Sequence, residues 1–218
     1  DIFTKRPHLD DVQFLIGSDL GYPPSSSIFH NMQKTQSDLM VWLGGHVRFD
    51  NNIDVGGMID SYVNVRSNNV VNQFMSSMPQ ISTWGRTDHG VELGTSWESK
   101  KLSHSVFQMF WPNSLKKTYN YTFFDYGTYQ RYRYNDVDIF LLDAMTFNQA
   151  DYSTLYGDKQ IERLFQEIKG TGATFTIIAS PLPFTFESKE SFVNYQEQFE
   201  YFLYRLDMSG VNGVLLVS

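Results

Sequence analysis

Several side chains that could bind a metal or transfer a proton follow short apolar segments of the sequence. The most prominent is His46, which comes after the apolar run Leu39–Leu43 and the glycine pair Gly44-Gly45. Ligands of open α/β sheets bind beyond the carboxyl ends of strands, and a glycine turn there lets the backbone approach a bound group closely. Similar polar groups follow three other apolar segments: Asp19, Asp88 with His89, and Asp143. The sequence therefore predicts a functional site built from strand ends.

The chemistry that these residue types favour is metal binding. Carboxylate and imidazole groups are common ligands of divalent cations, so a rearranged metal site could use Asp19, His46, Asp88 and His89, with Asp143 as a further candidate. The alternative is that both histidines are ordinary polar loop residues. The absence of cysteine excludes disulfides, thiolate catalysis and cysteine-bound zinc. No G-x-S-x-G segment supports serine hydrolysis.

The elements that must position these residues are read from apolar patterning. Strands are predicted at 12–17, 39–43, 79–84, 136–143, 174–180 and 213–218, and helices at 25–32, 57–77, 102–110, 157–168 and 188–206. The helical stretch 57–77 is expected to break at Asn68-Asn69, and residues 85–90 to form a polar loop. Strand-sized apolar runs alternating with helical stripes predict an α/β fold with parallel strands at its centre.

Composition limits the class of protein. With 218 residues, of which 41% are hydrophobic and 16% aromatic, residues 1–218 are predicted to form a single domain. The net charge of -7 argues against nucleic acid as a partner. No apolar run reaches the length of a transmembrane segment. Asp1 in first position favours a processed N-terminus or an incomplete record.

A series of motifs in a fixed order gives a more specific interpretation. They include Q-F-L-I-G-S at 13–18, D-L-M-V-W-L-G at 38–44, F-W-P-N at 110–113 and D-V-D-I-F-L-L-D at 136–143. Together they resemble the alkaline phosphatase D family of the calcineurin-like metallophosphoesterases. The resemblance implies a metallophosphoesterase-like sandwich of mixed sheets flanked by helices, truncated at its C-terminal end after Ser218. It also implies a centre of iron, calcium or another divalent metal that hydrolyses phosphate esters.

The chain departs from this family where the resemblance would place the metal centre. The family's G-D-N reads Gly44-Gly45-His46, its W-D-D-H-D reads Trp84-Gly85-Arg86-Thr87-Asp88, and its L-D-D-R reads Leu142-Asp143-Ala144-Met145. Its G-S-C has Asp19 in place of cysteine. The guanidinium of Arg86 would oppose cation binding at such a site. The family's site residues are thus replaced at six positions of this chain: Gly45, His46, Gly85, Arg86, Thr87 and Ala144.

Three functions follow from these departures. The first is a catalytically inactive domain, with no cofactor, that binds other proteins in a bacterial cell-envelope assembly; the family resemblance supplies the location in the periplasm, outer membrane or cell surface. The second is a metal-dependent phosphomonoesterase or phosphodiesterase with a remodelled centre that uses Asp19, His46, Asp88 and His89. The third is a metal-free anion site formed by Arg86 and the amides of the glycine turn.

The aromatic and basic stretch from 116 to 134 adds two candidate binding residues, Tyr132 and Arg133. Alternation of aromatic and polar residues predicts a hairpin with one packed aromatic face. Stacking on a glycan or on single-stranded nucleic acid is an alternative use of the same residues. An exposed face rich in tyrosine and arginine would instead suit a protein partner.

Overall fold

Two β-sheets face each other in the computed structural model, which describes residues 11–20, 26–49, 54–90, 99–112, 127–186 and 188–218. The first sheet is parallel, in the order β1 (Phe14–Gly17), β2 (Leu39–Leu43) and β3 (Gln80–Thr83). The second has the order β4-β5-β6-β7, with bounds Gln130–Tyr134, Val137–Leu141, Phe175–Ala179 and Val214–Val217. Only β4 runs antiparallel to its neighbour. The predicted mixed α/β sandwich is confirmed.

The β2 strand shows how the sequence builds two cores. All five of its residues are buried, but successive side chains point to opposite faces of a strand. Leu39, Val41 and Leu43 pack with inward-facing residues of the second sheet, such as Ile139. Met40 and Trp42 belong to the larger cluster between the sheets and the helices. The apolar run predicted as a strand is therefore continuous because both of its faces are covered.

Seven α-helices lie in the described part of the chain: α1 (Ser26–Lys34), α2 (Val55–Ser67), α3 (Asn69–Ser77), α4 (Arg86–His89), α5 (Lys100–Phe110), α6 (Asp158–Ile168) and α7 (Gln196–Met208). The predicted break at Asn68 is confirmed. Its side-chain oxygen accepts hydrogen bonds from the amides of Val70 (3.0 Å) and Val71 (3.3 Å), so it ends α2 and caps α3. None of the described helices has both the length and the apolar character that crossing a membrane requires.

Two local predictions need correction. Residues 85–90 were predicted as a polar loop, but α4 forms there and its Asp88 and His89 are buried. The helix predicted from Ser188 begins at Gln196, because the preceding residues form a loop and a 3-10 turn, Phe192–Asn194.

The hairpin partner of β4 in the described ranges is β5. The part of the predicted hairpin before residue 127 lies outside the described residues.

The two sheets are joined near the ends of β3 and β5. The hydroxyl of Thr83 donates to the carbonyl of Leu142 (2.9 Å) and lies 3.1 Å from the hydroxyl of Thr128. Thr83 is the last residue of β3, and Leu142 follows the last residue of β5. The loops that follow the parallel strands of both sheets therefore start at the same end of the sandwich.

Candidate functional site

Asp88 organises the loops that follow β2 and β3. Its buried carboxylate accepts hydrogen bonds from four backbone amides: those of Gly45 (2.7 Å), His46 (2.8 Å), Val47 (3.0 Å) and Gly85 (2.8 Å). An ionised carboxylate offers about four lone-pair positions, and these bonds use that capacity. Asp88, a candidate metal ligand, therefore holds the two loops together through their backbones.

The glycines of these loops are needed because the two backbones touch. A Cβ atom on Gly44 would lie 2.2 Å from the amide nitrogen of Gly85, and one on Gly85 would lie 2.9 Å from the amide nitrogen of Gly45. Gly44 and Gly45 also have positive φ angles, 93° and 77°. Glycine accepts both the conformation and the close approach. The glycine turn predicted to admit a ligand thus contacts another backbone segment.

Asp19 occupies the space beside Gly45. A Cβ on Gly45 would lie 2.2 Å from Oδ1 of Asp19 and 2.8 Å from its Cα. The amide of Asp19 donates to the carbonyl of Gly44 (3.0 Å), and that of Leu20 donates to the carbonyl of Gly45 (3.0 Å). No side chain fits at position 45 while Asp19 keeps this place. The loop after β1 therefore closes the same region from the third side.

His46 lies inside an aromatic cluster. Its ring centroid is 4.5 Å from that of Trp111 and 5.7 Å from that of Trp42. The hydroxyl of Ser82 donates to the carbonyl of Thr83 (2.7 Å), so its oxygen accepts from Nε2–H of His46 (2.6 Å). Burial lowers the pKa of His46, although the charge of Asp88 acts in the opposite direction. A neutral, aromatic-packed imidazole results.

His89 and His104 are also buried beside Trp84. The His89 ring meets the indole edge to face at 4.9 Å, and the His104 ring does so at 5.5 Å. Burial lowers the pKa of His104 to about 4, against the opposing effect of the negative Asp143. The alternative prediction for His46 and His89 was that they are ordinary polar loop residues. Both side chains are buried.

Asp143 repeats the arrangement of Asp88 at the end of β5. Its carboxylate accepts from the amides of Thr128 (2.8 Å), Met145 (2.8 Å) and Thr146 (2.9 Å), and from the hydroxyl of Thr146 (2.6 Å). Ala144, between these partners, is buried. Sequence reasoning missed the structural use of both carboxylates. The sequence spacing could have indicated these roles. Asp88 comes three residues after Gly85, and Asp143 comes three residues before Thr146, a spacing typical of Asx turns and helix caps.

Arg86 points away from the buried carboxylate and pairs with Glu190, which lies in the loop after β6. Its neighbour Thr87 is half-buried. The third hypothesis required the amides of the glycine turn to be available to an anion. Three of these amides, those of Gly45, His46 and Val47, donate to Asp88 instead.

The two candidate binding residues of β4 are engaged within the fold. Tyr132 is buried between the two sheets. Arg133 pairs with Asp136 (3.1 Å) and Asp138 (3.3 Å) and donates to the carbonyl of Thr171 (2.9 Å). These contacts anchor the antiparallel edge of the second sheet.

Two further side chains, those of Tyr62 and Arg66, pack behind the Asp88 loops. The ring of Tyr62 stacks on Phe110 with a centroid distance of 4.7 Å, and burial followed by the charge of Asp88 raises the pKa of its hydroxyl. The guanidinium of Arg66 lies over Trp111, 4.7 Å from the ring centroid. These side chains brace the cluster that contains His46.

The described side chains at these strand ends are not grouped as the ligands of a polynuclear metal centre. Within the described ranges, no three histidine, aspartate or glutamate side chains form a group that could hold a metal ion. Asp88 uses its acceptor positions on amides, His46 faces the aromatic cluster, and Asp19 is exposed. Metal-activated hydrolysis needs such side chains to converge on the ions. The contacts of Asp88 and Asp19 instead hold the loops after β1, β2 and β3 against one another.

Comparisons with known proteins bear on the fold. No family model matches the sequence, and no curated protein does. Eight chains of solved structures match it. One, described as the structure of PhoD, aligns with a TM-score of 0.78 and 15% identity, over 98% of this chain and 51% of that chain. The chain thus spans about half the length of that solved chain. It has a PhoD-like fold, in which one parallel and one mixed sheet form a sandwich flanked by helices.

Proposed function

We propose that this chain is a catalytically inactive phosphatase-like domain that acts as a binding or structural module in a bacterial cell-envelope assembly. The observation that carries the inactivity is the Asp88 carboxylate, which accepts four backbone amides and has no acceptor position left for a metal. The envelope location comes from the family resemblance, and the partner role is inferred by elimination.

The inactive state has a physical basis in the loop contacts. A hydrolytic metal centre lowers the pKa of a bound water and neutralises the developing phosphate charge, which requires several ligands around open space. Here the loops after β1, β2 and β3 meet at Gly44, Gly45 and Gly85. Recovering a centre at this place would require Asp88 to leave its amides and the backbone segments to separate.

A hydrolysis assay tests the proposal. The purified protein is incubated with bis(p-nitrophenyl) phosphate and p-nitrophenyl phosphate, with iron, calcium, zinc or manganese, before and after chelation. We expect no chelator-sensitive turnover. The matched variant is Asp19→Asn, which alters an exposed candidate ligand and leaves the four Asp88 bonds intact. Turnover that chelation abolishes and that Asp19→Asn reduces would instead support the remodelled phosphoesterase.

The partner role needs a test of its own, in cells. A photocrosslinking residue placed at the exposed position Tyr204 or Leu215 should crosslink to one reproducible envelope protein. The same label at exposed Asp60, on α2, provides the control. Recovery of the labelled protein from the cytosolic fraction without crosslinks would contradict the binding role.

A further inference from the structure

A cleft opens beyond the carboxyl end of the second sheet, and its lining includes no residue of the Asp88 loops. Residues 142–157 follow β5 and residues 180–195 follow β6, and both contribute to its walls. The cleft has a volume of about 660 Å³, and its lining includes Tyr152, Phe186, Ser188, Lys189, Val193 and Asn194. Sites for small organic ligands typically have about 300–1,000 Å³. The space is therefore adequate for a small molecule.

The apolar lining of this cleft is exposed. Phe186 retains 72% of its accessible surface, Tyr152 retains 44% and Val193 retains 40%. Single exposed apolar residues are ordinary, but three that line one concave site give it a surface that favours an apolar or planar ligand.

Tyr152 has an unfavourable backbone conformation. Its φ angle is 60°, which glycine or asparagine adopts more readily than tyrosine does. The turn is fixed by hydrogen bonds from the amide of Tyr152 to the carbonyl of Gln149 (3.0 Å) and from the amide of Gln149 to the carbonyl of Thr154 (2.9 Å). Tyrosine therefore occupies this position at a cost in backbone strain. Backbone strain of this kind concentrates at functional sites.

The Tyr152 ring is also held in place from behind. Its centroid lies 5.2 Å from that of Tyr195. The hydroxyl of Tyr195 donates to Oδ1 of buried Asn148 (2.7 Å). A ring supported in this way loses little conformational freedom when a ligand binds, which favours affinity.

The opposite wall is a loop with many internal hydrogen bonds. The amide of Phe192 donates to the carbonyl of Pro183 (2.8 Å), and that of Val193 donates to the carbonyl of Phe184 (3.0 Å). The carbonyl of Phe186 accepts from the amide of Ser188 (2.8 Å) and from the hydroxyl of Ser191. The exposed Phe186 ring therefore belongs to a residue whose carbonyl accepts two hydrogen bonds.

Lys189 gives the cleft its charge preference. It is exposed and makes no ion pair with any residue that the structure describes. The next residue, Glu190, pairs with Arg86. An ammonium group beside exposed aromatic rings suits a ligand that carries a negative charge.

We propose that this cleft binds a small ligand with a planar ring and an anionic group, with the ring against Tyr152 and Phe186 and the anion at Lys189. The proposal is independent of whether the Asp88 loops catalyse, because no residue of those loops lines the cleft.

Isothermal titration of the whole protein with indole-3-acetate, 4-hydroxybenzoate and 1-naphthalenesulfonate tests this proposal. At least one of these aromatic anions should bind with millimolar or better affinity. Tryptamine, which is cationic, and cyclohexylacetate, which is anionic but not planar, should bind at least about tenfold more weakly. Failure of all three aromatic anions to bind, or equal binding of tryptamine, would overturn the proposal.

Matched variants locate the site. Phe186→Ala and Lys189→Gln should each weaken binding of the aromatic anion by about tenfold or more. Phe175→Ala and Lys169→Gln remove an exposed side chain of the same type near the opposite end of the sheet, and they should leave binding unchanged. Equal losses in the cleft variants and in the controls would show that the probe binds elsewhere and would refute the assignment.

Discussion

The carboxyl ends of the two sheets have opposite characters. After the first sheet, the loops close on one another through Gly44, Gly45 and Gly85, and Asp88 binds their amides. After the second sheet, the loops stand apart around a cleft that exposes Tyr152 and Phe186. The contrast shows that a fold can close one group of strand-end loops while keeping space at the neighbouring group.

The carboxyl ends of the two sheets nevertheless share one feature, a buried and hydrogen-bonded aspartate. A buried aspartate follows each sheet and accepts four hydrogen bonds, three or more of them from backbone amides: Asp88 for the first and Asp143 for the second. A buried carboxylate is stable only when such partners compensate for its lost hydration. Carboxylates that resemble metal ligands in the sequence thus serve the architecture at both ends.

The largest expected effect comes from breaking these carboxylates. Asp88→Asn puts amide hydrogens against backbone N–H donors, and we expect it to lower the free energy of unfolding by about 3–5 kcal/mol. Asp143→Asn should have a similar effect because Asp143 accepts from three backbone amides and one hydroxyl. Urea denaturation measures both. Exposed Asp60→Asn, on α2, is the control, and a loss no larger than that of the control would contradict the anchoring role.

The closed contact at Gly45 predicts the next effect. Gly45→Ala places a Cβ against Asp19 at a residue with positive φ, which should cost about 2–4 kcal/mol. Asp19→Gly in the same chain should recover part of that loss by removing the Oδ1 contact. A double-mutant cycle in urea measures the coupling. Additive effects would show that the loop after β1 does not close this region.

The buried histidines predict a dependence on pH. Burial lowers the pKa of His104 from 6.5 to about 4 in the folded protein, so the unfolded chain binds more protons between these values. The resulting stability is complete above pH 6.5 and is lost as the pH falls toward 4, by roughly 3–4 kcal/mol. His46, whose pKa is also lowered, acts in the same direction.

Denaturation curves across this pH range test the dependence. His104→Gln should reduce the slope, whereas His30→Gln, at an exposed position on α1, should leave it unchanged. An unaltered slope in His104→Gln would contradict the burial of a neutral imidazole at this position.

The smallest expected change in stability comes from Tyr152, in the cleft beyond the second sheet. Tyr152→Gly relieves the positive φ angle but removes the ring contact with Tyr195, so we expect a net change in stability within about 1 kcal/mol. Binding of the aromatic anion should nevertheless fall. Thermal unfolding and the ligand titration are measured on the same sample. A large loss of stability would mean that Tyr152 is kept for packing.

The sequence predicted the helices and strands better than it predicted the side-chain contacts between loops. Apolar runs such as residues 39–43 predict strands because burial on both faces requires consecutive apolar residues. The helix break at Asn68 was predictable from side-chain capping chemistry. The connection that Asp88 makes between two loops was not, because three of its four partners belong to a loop about forty residues earlier in the chain. The later start of α7 was missed because loop contacts outweigh the local preference for helix at Ser188.

We propose that the closed end holds no metal, and the metal content of the purified protein tests this proposal most directly. Inductively coupled plasma mass spectrometry after exposure to iron, calcium, zinc and manganese should find no stoichiometric metal, with the same result in wild type and in Asp19→Asn. A stoichiometric metal in wild type that Asp19→Asn loses would contradict the account.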